Sequence, residues 1–478
     1  MRRNTNVALA CLGLLLGTAG CDSFLTGNKL SNNPNLPTEA SIQQLFIGVQ
    51  AGQFAFQEGT VAMMMCEWVQ ACSAANSRFV QQAAQYVFTE GSNIGANGGD
   101  WISVYDGGGL IDIRQVEQKA TAVGDSSFLG IAQVWEAFTM GTASSMWGDI
   151  PYSEAVAGNT APALDNRFAI LGSLQTLLSA AISNLTNGSG AGPGGGDLVF
   201  GGDNAKWIRV AWTLKARYFM QTAESLSSTG STAAYTNAIT AALNGINDPT
   251  GASDFSSFHT LATSERNMWA QFQTSSGFGT DLEAGKALVD YMKARGDPRI
   301  PDYFCQNAGG GYGGDDFNVI VPPDSVSLFV CLPPRFAEDA RVPYVTYVEN
   351  ELILAEAYNQ TGNDALAQTH LNNAYATVPG LASSATGVTG AALLDSIMLE
   401  KWVSMFQNIE SMNDYRRTCI PAITPSTNSQ GFTNVPGRLF YPLNERNVNP
   451  NIPDPSTQQG SHGFRNAGDV HGCNGDAR

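Results

Sequence analysis

The sequence predicts a mainly α-helical protein with long, elaborate loops. Three observations carry this expectation. Apolar residues recur at helical spacing through most of 40–242 and again through 343–411. No run alternates apolar and polar residues long enough to suggest a large sheet. Between the two helical stretches, from about 250 to 342, Gly, Ser, Pro and aromatic residues dominate, and helical periodicity persists only at 281–295.

The elements follow in order. Arg2 and Arg3 open a short basic start, Val7 to Leu16 is apolar, and small residues lead to Cys21. About ten apolar residues fall short of the roughly 20 that span a bilayer, so 1–20 is predicted to be a secretory leader. A small-residue site ending at Cys resembles a bacterial lipoprotein signal, although Thr18 stands where such signals usually carry Leu. Lipidation of Cys21 is the expectation; plain cleavage, leaving Cys21 for a disulfide, is the alternative. Residues 21–40 (Asn- and Pro-rich) would be a tether, and 41–478 a single domain. Helices are predicted at 40–57, 59–73, 101–121 and 127–147, the last from Ile131, Val134, Trp135, Phe138 and Met146 on one side. Leu171 to Leu185 predicts another, ended by Asn187-Gly188 and a Gly-rich stretch to Gly202, and 207–226 and 227–242 follow. Two helices are expected within 343–378 and one at 391–411, before an irregular tail from 420.

Charge narrows the functions. Without Arg2 and Arg3 the mature chain holds 23 basic and 42 acidic side chains, a net charge of −19. Such a chain repels nucleic acid and anionic headgroups at long range, and no nucleic-acid partner is expected. Beyond Cys11 and Cys21, six cysteines remain: Cys66, Cys72, Cys305, Cys331, Cys419 and Cys473. An even number in an exported chain suggests disulfides, and six cysteines allow 15 pairings that sequence does not choose among. Neighbour pairing is adopted because each bridge then closes a loop without crossing another. No CxxC occurs, and His259, His370, His462 and His471 lack ligand spacing, so no metal or other cofactor is expected.

The 343–378 segment fits a 34-residue helical repeat. Ala355 and Tyr358 sit at the small and aromatic positions of a first helix, Gly362 in the turn, Ala367 and Leu371 in a second helix, and Pro379 at the end. Residues 131–158 are read as a second copy, with Gly141 at the small position and Gly148 in the turn. The run Met146 to Ala155 (MWGDIPYSEA) then closely resembles a hallmark of the SusD/RagB family of nutrient-binding surface lipoproteins. Other stretches resemble that family in order: Cys21 to Leu25, Asp197 to Asp203 with Trp207 and Leu214 to Arg217, Tyr347 to Tyr358, Glu400 with Asp414 to Arg417, and Arg438 to Pro442. The resemblance implies a SusD-like fold, about four tetratricopeptide-like helix pairs supporting a loop-rich ligand-binding region, notably 250–342. It also implies a lipid-anchored outer-membrane protein that binds oligosaccharides, or less often peptides, for a partner TonB-dependent transporter (SusC-like). The hallmark residues are expected to be structural; Glu400 with Arg416 or Arg417 is left open between a buried ion pair and a solvated face.

Glycan sites in this family use aromatic platforms beside amide, carboxylate and Arg groups, because sugar C–H faces pack on rings while planar polar groups bond hydroxyl pairs. Two segments have that content. The first, Cys66 to Phe88, offers Trp68, Gln70, Arg78, Phe79 and Tyr86; the second, Tyr303 to Phe317, offers Tyr312 within a glycine run and Phe317. Trp101 and Tyr105, at helical spacing, are read as core. Asp315-Asp316 lacks the alternating oxygen ligands of a Ca²⁺ loop. No HExxH, GxSxG or GKS/GKT motif occurs, and both GxGxxG matches lie in glycine-rich loops that follow no strand. A glycan hydrolase, or an assembly scaffold without a small ligand, are the alternatives to a non-catalytic binder.

Overall fold

Helices packed in chain order make the scaffold. The structure, a computed structural model, describes residues 40–75, 83–87, 89–91, 99–223, 228–275, 278–279, 281–384, 386–426, 435–458 and 473. The predicted leader, Cys21 and the tether lie outside these residues. The chain divides into two compact units, Met1–Gln44 and Leu45–Arg478, and the second holds the helical scaffold.

The helices are α1 (Ile42–Glu58), α2 (Thr60–Trp68), α3 (Gly99–Tyr105), α4 (Leu110–Ala122), α5 (Ser126–Trp147), α6 (Arg167–Asn187), α7 (Asn204–Ala223) and α8 (Ser228–Ala242). After the irregular middle come α9 (Met268–Thr274), α10 (Lys286–Ala294), α11 (Ile300–Tyr303), α12 (Tyr347–Gln360), α13 (Asp364–Ala376), α14 (Gly390–Ser404), α15 (Glu410–Thr418), α16 (Leu443–Val448) and α17 (Pro455–Gln458). Packing runs as a ladder: α4 on α5, α5 on α6, α6 on α7, α7 on α8, α8 on α12, and α12 on α13 and α14. Small residues set the spacing. A Cβ on Gly130 of α5 would lie 2.9 Å from the Ala181 carbonyl oxygen, and one on Gly141 would lie 2.1 Å from the Tyr218 hydroxyl oxygen. Helix starts are capped by side chains: Asp125 accepts from the Phe128 N–H and Thr346 from the Glu349 N–H. Helix α6 is long and apolar enough to cross a membrane by length and composition. Its Ile170, Leu171, Leu174, Leu178 and Ala181 are buried in the ladder, while its exposed side carries Ser173, Thr176, Ser179 and Ser183.

Several boundaries differ from the sequence reading. The helix expected over 59–73 ends at Trp68, where Gln70 turns with φ +53° into strand β1 (Cys72–Ser73). The helix expected over 101–121 is two, because Gly107 and Gly108 bring their backbone against α1; a Cβ on Gly52 would lie 2.1 Å from the Gly107 carbonyl oxygen. The expected 391–411 helix stops at Ser404, and Glu410–Thr418 forms a separate helix. The proposed 131–158 repeat fails as a helix pair: Gly148 ends α5 with φ +87°, and 148–165 is extended chain and turns. By contrast, the 343–378 helices do pack together, with Ala355, Ala367 and Leu371 in one buried cluster beside Tyr358.

The irregular middle is organised by rings and short strands. Strand β2 (Phe255–Ser256) pairs antiparallel with β4 (Pro343–Val345), seating Phe255 4.9 Å from Trp135 and 5.2 Å from Trp207. A second ring cluster holds the later loops: Phe329 stacks on Phe336 at 4.3 Å, and Tyr303 on Phe406 at 4.9 Å. All three neighbour disulfides are formed, Cys66–Cys72, Cys305–Cys331 and Cys419–Cys473.

The hallmark residues build buried locks. Glu400 pairs with neither Arg416 nor Arg417; its oxygens meet Arg295 at 2.7 Å and Arg299 at 2.9 Å, and both arginines also engage Asp297. Arg417 binds Glu356 and Asp414, while Arg416 donates to the carbonyls of Ser145 and Gly437. The MWGDIPY turn is held the same way: Leu439 N–H donates to the Met146 carbonyl, the Tyr441 hydroxyl to that of Asp149, and the Tyr105 hydroxyl to that of Pro151. These arginines and rings fix backbone where no regular ladder can satisfy it.

Candidate functional site

The two ring-bearing segments singled out in the sequence meet in space. Strand β1 pairs antiparallel with β3 (Glu283–Ala284), matching Cys72 with Ala284 and Ser73 with Glu283. The glycine-run loop lies on the far side of β3. The Asp315 N–H donates to the Ala284 carbonyl and the Lys286 N–H to the Asp315 carbonyl, both at 2.9 Å. Close backbone contact explains the glycines: a Cβ on Gly314 would lie 2.4 Å from the Lys286 nitrogen, and one on Gly313 2.2 Å from the Ser325 carbonyl oxygen. The run is a packing device. The Cys66–Cys72 bridge ties α2 to β1, and Cys305–Cys331 closes the base of the second loop.

A narrow cleft of about 20 Å³ opens between these segments. Glu67, Gln70, Ser73, Lys286, Asp315 and Phe317 line it, together with Cys72, Ala84, Ala287, Asp316 and Ser426. Gln70 is half-buried and its amide donates to the Thr424 carbonyl at 2.5 Å, which brings in the segment after α15. The Ser73 hydroxyl donates to Asp315 Oδ2 at 2.9 Å. The site is acidic. Burial, then the neighbouring Asp315 charge, pushes the Glu283 carboxyl up to about 7. Burial also raises Asp315, against the pull of the Ser73 hydroxyl.

The expected ligand residues divide into three groups. Gln70 and Phe317 line the cleft; Tyr312 is half-buried nearby in chain, its carbonyl accepting from the Lys293 ammonium. Trp68 and Tyr86 are corrected to core: both are 0% exposed and meet edge to face at 6.4 Å, so neither ring has a free face for a ligand. Arg78 and Phe79 lie outside the described residues. Sequence reasoning missed Glu67, Lys286 and Ser426. Glu67 carried a readable signal, a lone carboxylate inside the apolar run VAMMMCEWV. Ser426 carried none, since only long-range folding brings it here.

Two other concavities are wider. A groove of about 430 Å³ is bounded by Ile102, Tyr105, Pro151, Val156, Pro162 and Val448, with Trp101 at its floor. Trp101 is 4% exposed and packs edge-on against Trp147 and Tyr441, as a core residue does. The other, of about 540 Å³, contains Arg114, Glu117 and Glu136. Burial, then the Glu136 charge and a hydrogen bond to it, pushes the Glu117 carboxyl up to about 9. Glu136 also accepts from Arg114 and from the Tyr152 hydroxyl at 2.8 Å. Glu117 and Glu136 stand within hydrogen-bond reach of each other, whereas the flanking acids of a glycoside hydrolase stand apart by about 5 Å or more. Among the described residues, no group of three His, Cys, Asp or Glu side chains is arranged to hold a metal ion.

Comparison with known proteins gives this architecture its family. Residues 34–442 match the SusD-like family described as starch-binding and associating with the outer membrane. No protein curated for function matches the chain. Among solved structures, it is similar to a chitin-binding SusD homologue from Flavobacterium johnsoniae, at 18% identity and TM-score 0.75, over 91% of this chain and 99% of that one. A SusD-like protein from Bacteroides thetaiotaomicron is similar at 22% identity and TM-score 0.68, over 85% and 94%. A SusD homologue from Bacteroides fragilis is similar at 18% identity and TM-score 0.68, over 90% and 98%. At these identities the structures establish the fold, mainly helical as the sequence predicted, and the match across 34–442 establishes descent: the chain belongs to the SusD-like family.

Proposed function

We propose that this protein is a surface-exposed outer-membrane lipoprotein that binds oligosaccharides and delivers them to a TonB-dependent transporter, without catalysing a reaction. The observation that carries the reading is the junction of β1, β3 and the Asp315–Phe317 turn, which sets a half-buried ring beside amide and carboxyl groups on a disulfide-braced platform. Membership in a family described as starch-binding supports a glycan as the ligand, and the chitin-binding description of one structural neighbour supports the same class. Binding without chemistry needs a shaped surface of rings and hydrogen-bond groups, which loops on a rigid scaffold supply. In this reading Cys21 carries the lipid, 21–40 gives slack, and Gln70, Tyr312 and Phe317, with Arg78 and Phe79, contact the glycan.

The test is calorimetric titration of the purified protein with a polysaccharide panel, alongside an assay for released reducing ends. Saturable binding to at least one glycan, with no turnover, is expected. Reducing ends released at a useful rate would replace the binder by a hydrolase. Failure of every glycan, together with stable co-purification of a transporter, would replace it by a scaffold.

A further inference from the structure

Three aliphatic side chains that the fold leaves uncovered converge on one groove. Ile102 of α3, Val156 of the loop after the MWGDIPY turn and Val448 at the end of α16 are 55%, 36% and 69% exposed, and all three line the concavity of about 430 Å³. That volume falls within the roughly 300–1,000 Å³ of ligand pockets. The groove is preformed. The Asn449 and Asn451 amides donate to the Pro162 and Ala161 carbonyls at 3.0 Å, and Asp165 accepts from the Tyr152 and Ser153 N–H groups. Val156 holds φ +54°, a left-handed backbone that a β-branched residue adopts only at a cost, yet its side chain is not spent on the core. Sugar is a poor match for these walls. Trp101 is 4% exposed, the Tyr105 hydroxyl is taken by the Pro151 carbonyl, and the Asn159 amide is engaged at both atoms, donating to Glu154 and accepting from the Ala161 N–H.

Charge says what kind of occupant fits. Asp106 and Glu445 are the charged residues on the wall, and among the described residues no Lys, Arg or His lines it. Arg446, the neighbour of Glu445, is held by Glu90 at 2.6 Å. We propose that this groove docks a segment of a partner protein with the complementary character, aliphatic side chains flanked by Lys or Arg. The aliphatic groups cover Ile102, Val156 and Val448, and the cations meet Asp106 and Glu445 on the rim. A groove already held in shape loses little freedom when it is filled, so the cost of ordering falls on the partner segment alone. The acidic rim repels an anionic membrane surface, which is the other common cover for exposed aliphatic groups. The groove shares no lining residue with the cleft beside β1 and β3, so the proposal stands apart from the glycan reading.

The experiment is fluorescence anisotropy on the whole protein with a labelled peptide that alternates lysine and isoleucine and is blocked at both termini. Peptides of equal length with serine for isoleucine, or with glutamate for lysine, should each bind about tenfold more weakly. Ile102→Ser and Val448→Ser, both at exposed positions, should each weaken the isoleucine peptide about fivefold, and Glu445→Gln about threefold. Val156→Gly separates docking from folding. Glycine takes the left-handed backbone freely, so affinity should fall while the melting temperature holds or rises; a purely structural valine would give the reverse. Glycan affinity of all four variants should be unchanged. The inference is overturned if the serine or glutamate peptide binds as well, if Ile102→Ser and Val448→Ser leave affinity intact, or if no peptide binds below about 1 mM. Displacement of the peptide by a maltooligosaccharide would make the groove a glycan site instead. Sedimentation showing dimers that Ile102→Ser abolishes would make the occupant a second copy, and either result also overturns it.

Discussion

Replacing Gly314 by Ala tests whether the glycine run exists for backbone contact. The added Cβ would stand 2.4 Å from the Lys286 nitrogen, 2.5 Å from the Gly285 carbonyl carbon and 2.6 Å from the Lys286 Cα. All three are backbone atoms of a segment paired to β1, so no side chain can swing away. The loop must lift. Lifting it breaks the Asp315–Ala284 and Lys286–Asp315 backbone hydrogen bonds, each worth about 1 kcal/mol net. Overpacking of this kind costs about 1–3 kcal/mol, and the two broken bonds put the expected loss near the top of that range, about 3 kcal/mol. Gly309→Ala is the control, since its Cβ would meet only the Asn307 side chain, at 3.4 Å. Calorimetric unfolding should show a lowered transition for Gly314→Ala and none for Gly309→Ala, with glycan affinity lost in the first alone. Equal stability of the two variants would refute the packing argument.

Three further outcomes follow from the same geometry. Glu400→Ala strands Arg295 and Arg299 around Asp297 in the core, and removal of one partner from a buried ion network costs about 3–5 kcal/mol; a denaturant midpoint unchanged from wild type would contradict the assignment. Replacing both Cys305 and Cys331 by Ser opens a loop of sequence separation 26, and the loop-entropy relation predicts a loss of about 3–4 kcal/mol, measurable in the same titration. Burial, then the charges of Asp248 and Glu349, pushes the Asp254 carboxyl up to about 7 despite the Tyr347 N–H that it accepts. An unfolded Asp titrates near 3.9, so from about pH 4 to 7 the native state holds a proton that the unfolded state has lost. Stability therefore falls as pH rises through that window, and Asp254→Asn should flatten the melting temperature's dependence on pH there; an unaltered slope would count against it.

Scaffold and site differed in how far the sequence disclosed them, for physical reasons. Helix positions in the ladder followed from apolar content and spacing: α6 buries one face against its neighbours, while α5 is buried on nearly every side. Periodicity overran at 59–73 and 101–121, where a disulfide loop and a glycine turn interrupt a pattern that apolar content alone continues. Family motifs such as MWGDIPY were legible as structure and proved to be ion and hydrogen-bond locks; the partners of Glu400 were not, since Arg295 and Arg299 lie about a hundred positions away in the chain. In the cleft, Phe317 and Gln70 were found by content. Trp68 was misplaced because a ring on an apolar helix shows no sign of which way it faces. The purpose of the glycine run was not legible, because Gly313 and Gly314 are held close to backbone of other segments, Ser325 and Lys286, that only folding brings there.

The central claim is that the platform formed by β1, β3 and the Asp315–Phe317 turn holds a glycan without cleaving it. Affinity electrophoresis of wild type, Phe317→Ala and Tyr312→Ala against a set of soluble polysaccharides tests it most directly. The account predicts that the wild type is retarded by at least one polysaccharide, that both variants run faster through the same gel with unchanged helical content, and that the polysaccharide is recovered intact. Unretarded wild type on every polysaccharide, or equal retardation of all three proteins, would contradict it.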